Sequence, residues 1–345
     1  MTEKLQFTSD YMEGAHPAIL QRLEETNLVK TPGYGNDPFS DAAREKIRAA
    51  CAAPEADIFF LVGGTQANAV VISALLSPWQ GVCAAGTGHI ATHEAGAIEA
   101  GGHKVLTLPG HNGKIDAEEL ETLVRAWQED GNREHIVMPG MVYISQPTEL
   151  GTLYSLEELE ALSRVCRREG LPLYLDGARL AYALGCPEND ASLPDIARLC
   201  AAFYIGGTKC GALFGEAVVF PRRGFVPQFF TLMKQHGALL AKGWIAGLQF
   251  DVLFTDGLYL SLGRSAVAAA DRIRAALDER GIPQAFPSPT NQIFLLLPRE
   301  RAASLLEKTA LGFWENVGDQ VILRLATSWA TAPEEAEAFI SLLET

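Results

Sequence analysis

Lys209 follows the run Ala202-Phe203-Tyr204-Ile205-Gly206-Gly207-Thr208, and Asp176 closes the run Leu173-Tyr174-Leu175. Both runs are short, apolar and rich in aromatic or branched residues, and both border on glycine. This is the pattern of a parallel α/β sheet, whose ligands bind beyond the carboxyl ends of its strands. Lys209 and Asp176 are then expected to face one crevice. A lysine partly shielded by Gly, Thr and Cys can attack a carbonyl, and a neighbouring aspartate can keep a ring nitrogen protonated. Pyridoxal phosphate (PLP) makes both demands: a Schiff-base lysine, and an acid that turns its pyridine into an electron sink. The plainer alternative for Lys209 is a solvated side chain at a strand end.

Other residues supply parts of such a site. The expected strand 57–62 runs through Gly63-Gly64-Thr65-Gln66 into a helix, and a glycine turn that opens a helix leaves N–H groups free for a phosphate. An ordinary strand-to-helix turn is the alternative. Gly86-Thr87-Gly88-His89-Ile90-Ala91 matches a dinucleotide fingerprint by letter. That fingerprint also requires an acid at the end of the next strand, where this chain has Pro109, so a nicotinamide site is excluded. His89 is placed to stack on a flat cofactor, or is simply solvated. Glu149, in the loop 146–151, is a site candidate or an exposed glutamate. Arg324 interrupts an apolar strand, Val321-Ile322-Leu323-Arg324-Leu325, and needs a partner: a substrate carboxylate or a structural salt bridge.

The elements that must position these residues divide the chain in three. Residues 1–40 are rich in Gly, Pro, Asn and Asp around one helix at 16–27, and are expected to contribute to the active site and a subunit interface. Residues 41–250 alternate strand and helix, which predicts one doubly wound layer. Its strands are expected at 57–62, 82–85, 104–108, 135–138 continuing through 141–145, 173–176, 202–206 and 215–220, with a long helical region from residue 225. Ser155-Leu156-Glu157-Glu158 reads as a capping box for a helix to about residue 169. Residues 251–345 form a small α+β domain with strands at 292–297 and 320–325.

Composition narrows the partners. The 345 residues carry 28 basic against 42 acidic side chains, a net charge of −14, which excludes nucleic acid and anionic membranes. The six cysteines form no CxxC pair and no metal motif is present. No signal-like or membrane-length apolar run occurs, so a soluble cytoplasmic protein is expected.

Taken in order, Ser9-Asp10, Tyr34-Gly35-Asn36-Asp37, the segment 60–68, His89 with Glu94-Ala95-Gly96, Asp176-Gly177-Ala178-Arg179, Thr208-Lys209 and Leu323-Arg324-Leu325-Ala326-Thr327-Ser328 resemble the threonine aldolase and β-eliminating lyase family. The resemblance implies an α/β, fold type I (aspartate aminotransferase-like) PLP enzyme: a large, mainly parallel seven-stranded-type sheet and a small C-terminal α+β domain. It implies Lys209 as the cofactor lysine, Asp176 at the pyridine nitrogen, His89 stacked on the ring, and Gly64, Thr65 and Thr208 at the phosphate. Ser9, Arg179 and Arg324 would grip the substrate carboxylate. Tyr34 and Lys242 would reach the neighbouring subunit's site in a tetramer built as a dimer of dimers. Where better-known members have Thr-His-Asn-Gly this chain has Thr148-Glu149-Leu150-Gly151, which looks more like the phenylserine-aldolase branch. The implied reaction is cleavage of a small β-hydroxy amino acid to glycine and an aldehyde, with His89, Glu149 or water as the base. The alternative is a PLP-dependent β-eliminating lyase or racemase.

Overall fold

The computed structural model describes residues 4–343; the outermost residues of the first and last expected segments, 1–3 and 344–345, lie outside it. The chain opens with β1 (Leu5–Phe7), α1 (Pro17–Thr26) and α2 (Pro38–Ala50). The alternating region follows: β2 (Asp57–Leu61), α3 (Gly64–Leu75), β3 (Gln80–Ala85), two single-turn helices α4 (His89–Thr92) and α5 (Ala97–Ala100), β4 (Val105–Leu108) and α6 (Ala117–Glu129). It continues through β5 (Met138–Ser145), α7 (Leu156–Glu169), β6 (Leu173–Asp176), α8 (Leu180–Gly185), α9 (Leu193–Leu199), β7 (Ala202–Gly206) and β8 (Glu216–Phe220). Three helices, α10 (Phe229–Gln235), α11 (Trp244–Leu253) and α12 (Leu258–Glu279), lead to β9 (Gln292–Pro298), α13 (Arg299–Lys308), β10 (Thr309–Val317), β11 (Gln320–Ala326) and α14 (Pro333–Leu342).

The large sheet has seven strands in the order β2-β8-β7-β6-β5-β3-β4. The five strands from β4 to β7 are parallel, and β8 runs antiparallel to both of its neighbours. One face packs against α2, α6 to α9 and α11 through Ile47, Leu120, Leu162, Leu180, Ile196 and Phe250. The other packs against α3, α5 and α10 through Val70, Val71, Ile98 and Phe229. With both faces covered, the central strands are apolar on either side, which is why their sequences read as continuous hydrophobic runs. A second sheet, β1-β10-β11-β9, has its own core with α14 and the second half of α12.

Three expectations change. The run 135–138 is not a strand: Arg133–His135 is a 3₁₀ turn, Ile136 is exposed, and pairing begins only where Met138 meets Gln80. The helical region after residue 225 divides into α10 and α11, with Gly237 taking a left-handed φ of 66° just after the first, which ends a right-handed helix; α12 is a separate helix with Gly257 as its N-cap. The small sheet gains two strands not expected from the sequence. In β10 the exposed half carries Glu315 and Asn316, and β1 is too short to show a period. Among the described residues no helix is long and apolar enough to cross a membrane, and all six cysteines are free and buried.

Candidate active site

The carboxyl ends of β6 and β7, the start of β8, the β2–α3 turn and α4 surround a cavity of about 600 Å³, roofed by β10 and β11 of the small sheet. Gly64, Thr65, His89, Glu149, Asp176, Arg179, Thr208, Lys209 and Arg324 all line it. Residues from opposite ends of the chain meet here because parallel strands deliver their following loops to a single edge.

Asp176 stands at the floor, only 4% exposed. Its Oδ2 accepts from the Tyr143 hydroxyl at 2.6 Å and from Asn68 Nδ2 at 3.0 Å. Its Oδ1 accepts from the Ala178 N–H at 3.0 Å and from the Tyr204 hydroxyl. Burial alone would raise its pKa, but His89 together with the hydroxyl and amide donors outweighs that and lowers it, so the carboxyl is held ionised. Asn68 also donates to Glu94 Oε1 at 2.7 Å, and the same oxygen holds His89 Nδ1 at 2.8 Å. One buried chain therefore fixes both Asp176 and the His89 ring. Burial works against a charged His89, yet the Glu94 bond and the carboxylates of Glu149 and Asp176 raise its pKa above the ordinary value.

Glycines permit this closeness. A Cβ on Gly177 would collide with the Tyr204 carbonyl, and one on Gly64 would lie 2.9 Å from the Tyr204 hydroxyl. Helix α3 begins on Gly63 with no side chain closing its N-terminus, which leaves its first N–H groups at the cavity wall. The Lys209 amine lies 5.9 Å from the Tyr11 ring centre and makes no ion pair among the described residues. Thr208, beside it, donates its hydroxyl to Glu216 Oε1 at 2.8 Å.

The two arginines differ. Arg179 is held by Asp10 through Nε at 2.6 Å and Nη2 at 3.1 Å, leaving Nη1 toward Glu149 Oε2 at 3.9 Å. Burial raises the Asp10 carboxyl, but Arg179 and Lys209 more than reverse this and bring it down to about 2. Arg324 reaches the Thr8 carbonyl at 3.2 Å and Gln292 Oε1 at 3.3 Å, with no ion pair among the described residues and its buried Nε unbonded. Ser9 is buried next to Asp10 and does not line the cavity. Tyr34 and Lys242 lie apart from it: Tyr34 lines a separate cavity of about 210 Å³, its N–H bonded to the Ala241 carbonyl and its ring 4.8 Å from the Lys234 amine. Beyond β4, His111, Asp116 and Glu119 gather three ligand-type atoms, but both carboxylates already serve the capping box of α6.

The residue-by-residue reading missed the work of Asp10, Asn68, Tyr143, Tyr204 and Glu216. A signal existed for the tyrosines. Tyr143-x-Ser145, Tyr174-x-Asp176 and Tyr204-x-Gly206 place a tyrosine two residues before each of three strand ends, and two residues along a strand is the same face.

Residues 6–299 match the β-eliminating lyase family. Over 338 residues the chain is 31% identical to a low-specificity L-threonine aldolase of Pseudomonas sp., covering 96% of this chain and 94% of that one. A threonine aldolase structure from Leishmania major is similar at a TM-score of 0.95 and 43% identity, covering 98% of each chain. An aspartate aminotransferase from Thermus thermophilus shares the fold at a TM-score of 0.72 and 17% identity, over 99% of this chain and 91% of that one. The architecture is thus α/β, of the fold type I kind that binds PLP.

Proposed function

The chain belongs to the β-eliminating lyase family, and we propose that it is a PLP-dependent aldolase that cleaves a β-hydroxy-α-amino acid such as threonine, allo-threonine or phenylserine to glycine and an aldehyde. The observation that carries this reading is one cavity with Lys209, the ionised Asp176 and Arg324, which has no ion pair among the described residues, on its walls.

The residues present fit the cofactor. The uncapped start of α3 suits its phosphate, with Gly64 and Thr65 at that turn. Asp176 suits a ring N–H because it is an ionised carboxylate on the cavity wall, fixed in place by Tyr143, Tyr204, Asn68 and the Ala178 N–H. Bound there, PLP supplies an aldehyde for amines and a ring that takes up the electrons of the breaking bond. Lys209 would be the residue that holds it covalently and yields its place to the substrate amine. Asp176 would hold a proton on the ring nitrogen, and His89, oriented by Glu94, would pack against the ring. Arg324, with Arg179 Nη1, holds the substrate carboxylate and so orients the Cα–Cβ bond. Glu149, on the cavity wall with its Oε2 3.9 Å from Arg179 Nη1, is assigned as the acceptor of the β-hydroxyl proton, with His89 and water as the alternatives. Loss of the aldehyde would leave Cα to take up one proton, balancing the one given up by the β-hydroxyl. Tyr34 and Lys242, outside their own cavity, are assigned to the site of a neighbouring subunit in a dimer-based tetramer.

The test is a panel of threonine, allo-threonine, phenylserine and serine with each stereoisomer separate, run with PLP. Glycine with an equimolar aldehyde is expected. A 2-oxo acid with ammonia, or inversion at Cα, would instead establish elimination or racemisation. Hydride reduction should fix the cofactor to Lys209 and to nothing in Lys209→Ala; recovery on another lysine defeats the assignment.

A further inference from the structure

Glu216 opens β8 at the cavity wall, 3% exposed, and makes no ion pair among the described residues. Its oxygens accept from the Thr208 hydroxyl at 2.8 Å and from the Gly207 N–H at 3.3 Å. Leu61, at the end of β2, is registered against Glu216, which sets the carboxyl beside the turn into α3. An acid is thus built into the wall of a pocket read above as a phosphate site.

We propose that Glu216 is a positioning residue for that phosphate: it takes up a proton as the phosphate enters, and the proton reverses the Thr208–Glu216 hydrogen bond so that the Thr208 hydroxyl donates to the phosphate. The proposal rests on the PLP reading. Its argument is one of donors and acceptors. Thr208 Oγ1 accepts from the Gly215 N–H at 3.0 Å and spends its one proton on Glu216. In that state it presents no donor to an anion, and an ionised carboxylate beside a dianionic phosphate is repelled. With Glu216 protonated, its O–H donates to Thr208, whose oxygen accepts two bonds and whose hydrogen turns to the phosphate. Every donor and acceptor is then used.

The surroundings favour the proton. Burial raises Glu216 to about 8, with Asp176 adding to the rise and the Thr208 bond and Lys209 opposing it. From β6 and β7 it is faced by Tyr174, Asp176 and Tyr204, from the loop after β7 by Lys209 and Cys210, and from α12 by Tyr259. Helix α3 contains no titratable residue, the one acid of β2, Asp57, is at the far end against Phe220, and Asp251 of α11 is paired with Lys46.

The test uses pyridoxamine 5′-phosphate, which has no aldehyde for Lys209, bound to wild type and to Glu216→Gln, whose amide imitates the protonated acid. The probe carries the same titrating groups in both proteins, so the pH dependence of the ratio of dissociation constants reports the loss of the Glu216 carboxyl. Wild type over variant should be near one at about pH 6.5 and rise to about tenfold at about pH 9. Calorimetry in buffers of different ionisation enthalpy, which needs no variant, should find uptake of about half a proton assigned to Glu216 near pH 8. Glu216→Ala, which has no group to titrate at this position and leaves the Thr208 hydroxyl free to donate, should lose the pH dependence as Glu216→Gln does. A flat ratio, or no such uptake, overturns the proposal while the phosphate site stands. If wild type binds the probe no better than pyridoxamine lacking the phosphate, the phosphate reading falls and this proposal with it.

Discussion

Arg324 is surrounded by a backbone carbonyl, an amide oxygen and an aromatic ring, and no carboxylate neutralises it among the described residues. Burial, with Arg179 nearby, pulls its pKa below the usual arginine value, so an incoming carboxylate gains a charge-assisted, bidentate partner already desolvated. Arg324→Ala should therefore raise KM for the amino acid by roughly 30–150-fold, about 2–3 kcal/mol, with PLP affinity changed less than about twofold. Steady-state kinetics beside a cofactor titration check this, and equal losses of both would mark a structural role. Arg324→Lys should not rescue, since a point charge cannot reproduce the planar fork. Arg324 was legible in the sequence because a cation in an apolar strand is conspicuous. Asp10 was not, because its meaning depends on Arg179, a residue distant in sequence that only the fold brings within 2.6 Å.

Helices α6, α7 and α9 each close their N-termini with a side chain and a capping box, whereas α3 does not. The contrast separates stability from binding. Ser155→Ala removes the cap of α7 and should cost about 1 kcal/mol in denaturant unfolding, with substrate turnover unchanged; a loss of turnover in the folded variant would contradict the division. The helix starts were readable because capping residues act within a few positions of themselves. So were strand ends such as Asp176 and Lys209, where an apolar run meets glycine. Strand β10 was not: it lies over the cavity with Phe313 exposed and Trp314 packed on Phe294 and Arg324, and neither contact is local. The apolar stretch at 135–138 misled for the opposite reason. Its local character suits a strand, but no neighbour pairs with it before Met138.

Across the molecule, α12 gives Tyr259, Leu262 and Ala266 to the larger core and Ala270, Ile273 and Leu277 to the smaller one, so a single helix couples the two sheets whose edges enclose the cavity. Tyr34 and Lys242, set away from that cavity, are assigned to a second copy. If so, Lys209→Ala and Lys242→Ala, each impaired alone, should regain activity when unfolded together and refolded as hybrids, because one hybrid site keeps both residues. Failure of mixed refolding to exceed the separate variants would return Lys242 to its own subunit. The opening strand carries a different consequence. Thr8, just past β1, is bonded to Arg324, 316 residues further along the chain. At a ribosome adding roughly 5–20 residues per second, the first strand waits on the order of 15–60 s for its mate to emerge. Strand β1 is thus made well before the strand it docks on, and stays open to chaperones and proteases until that partner emerges.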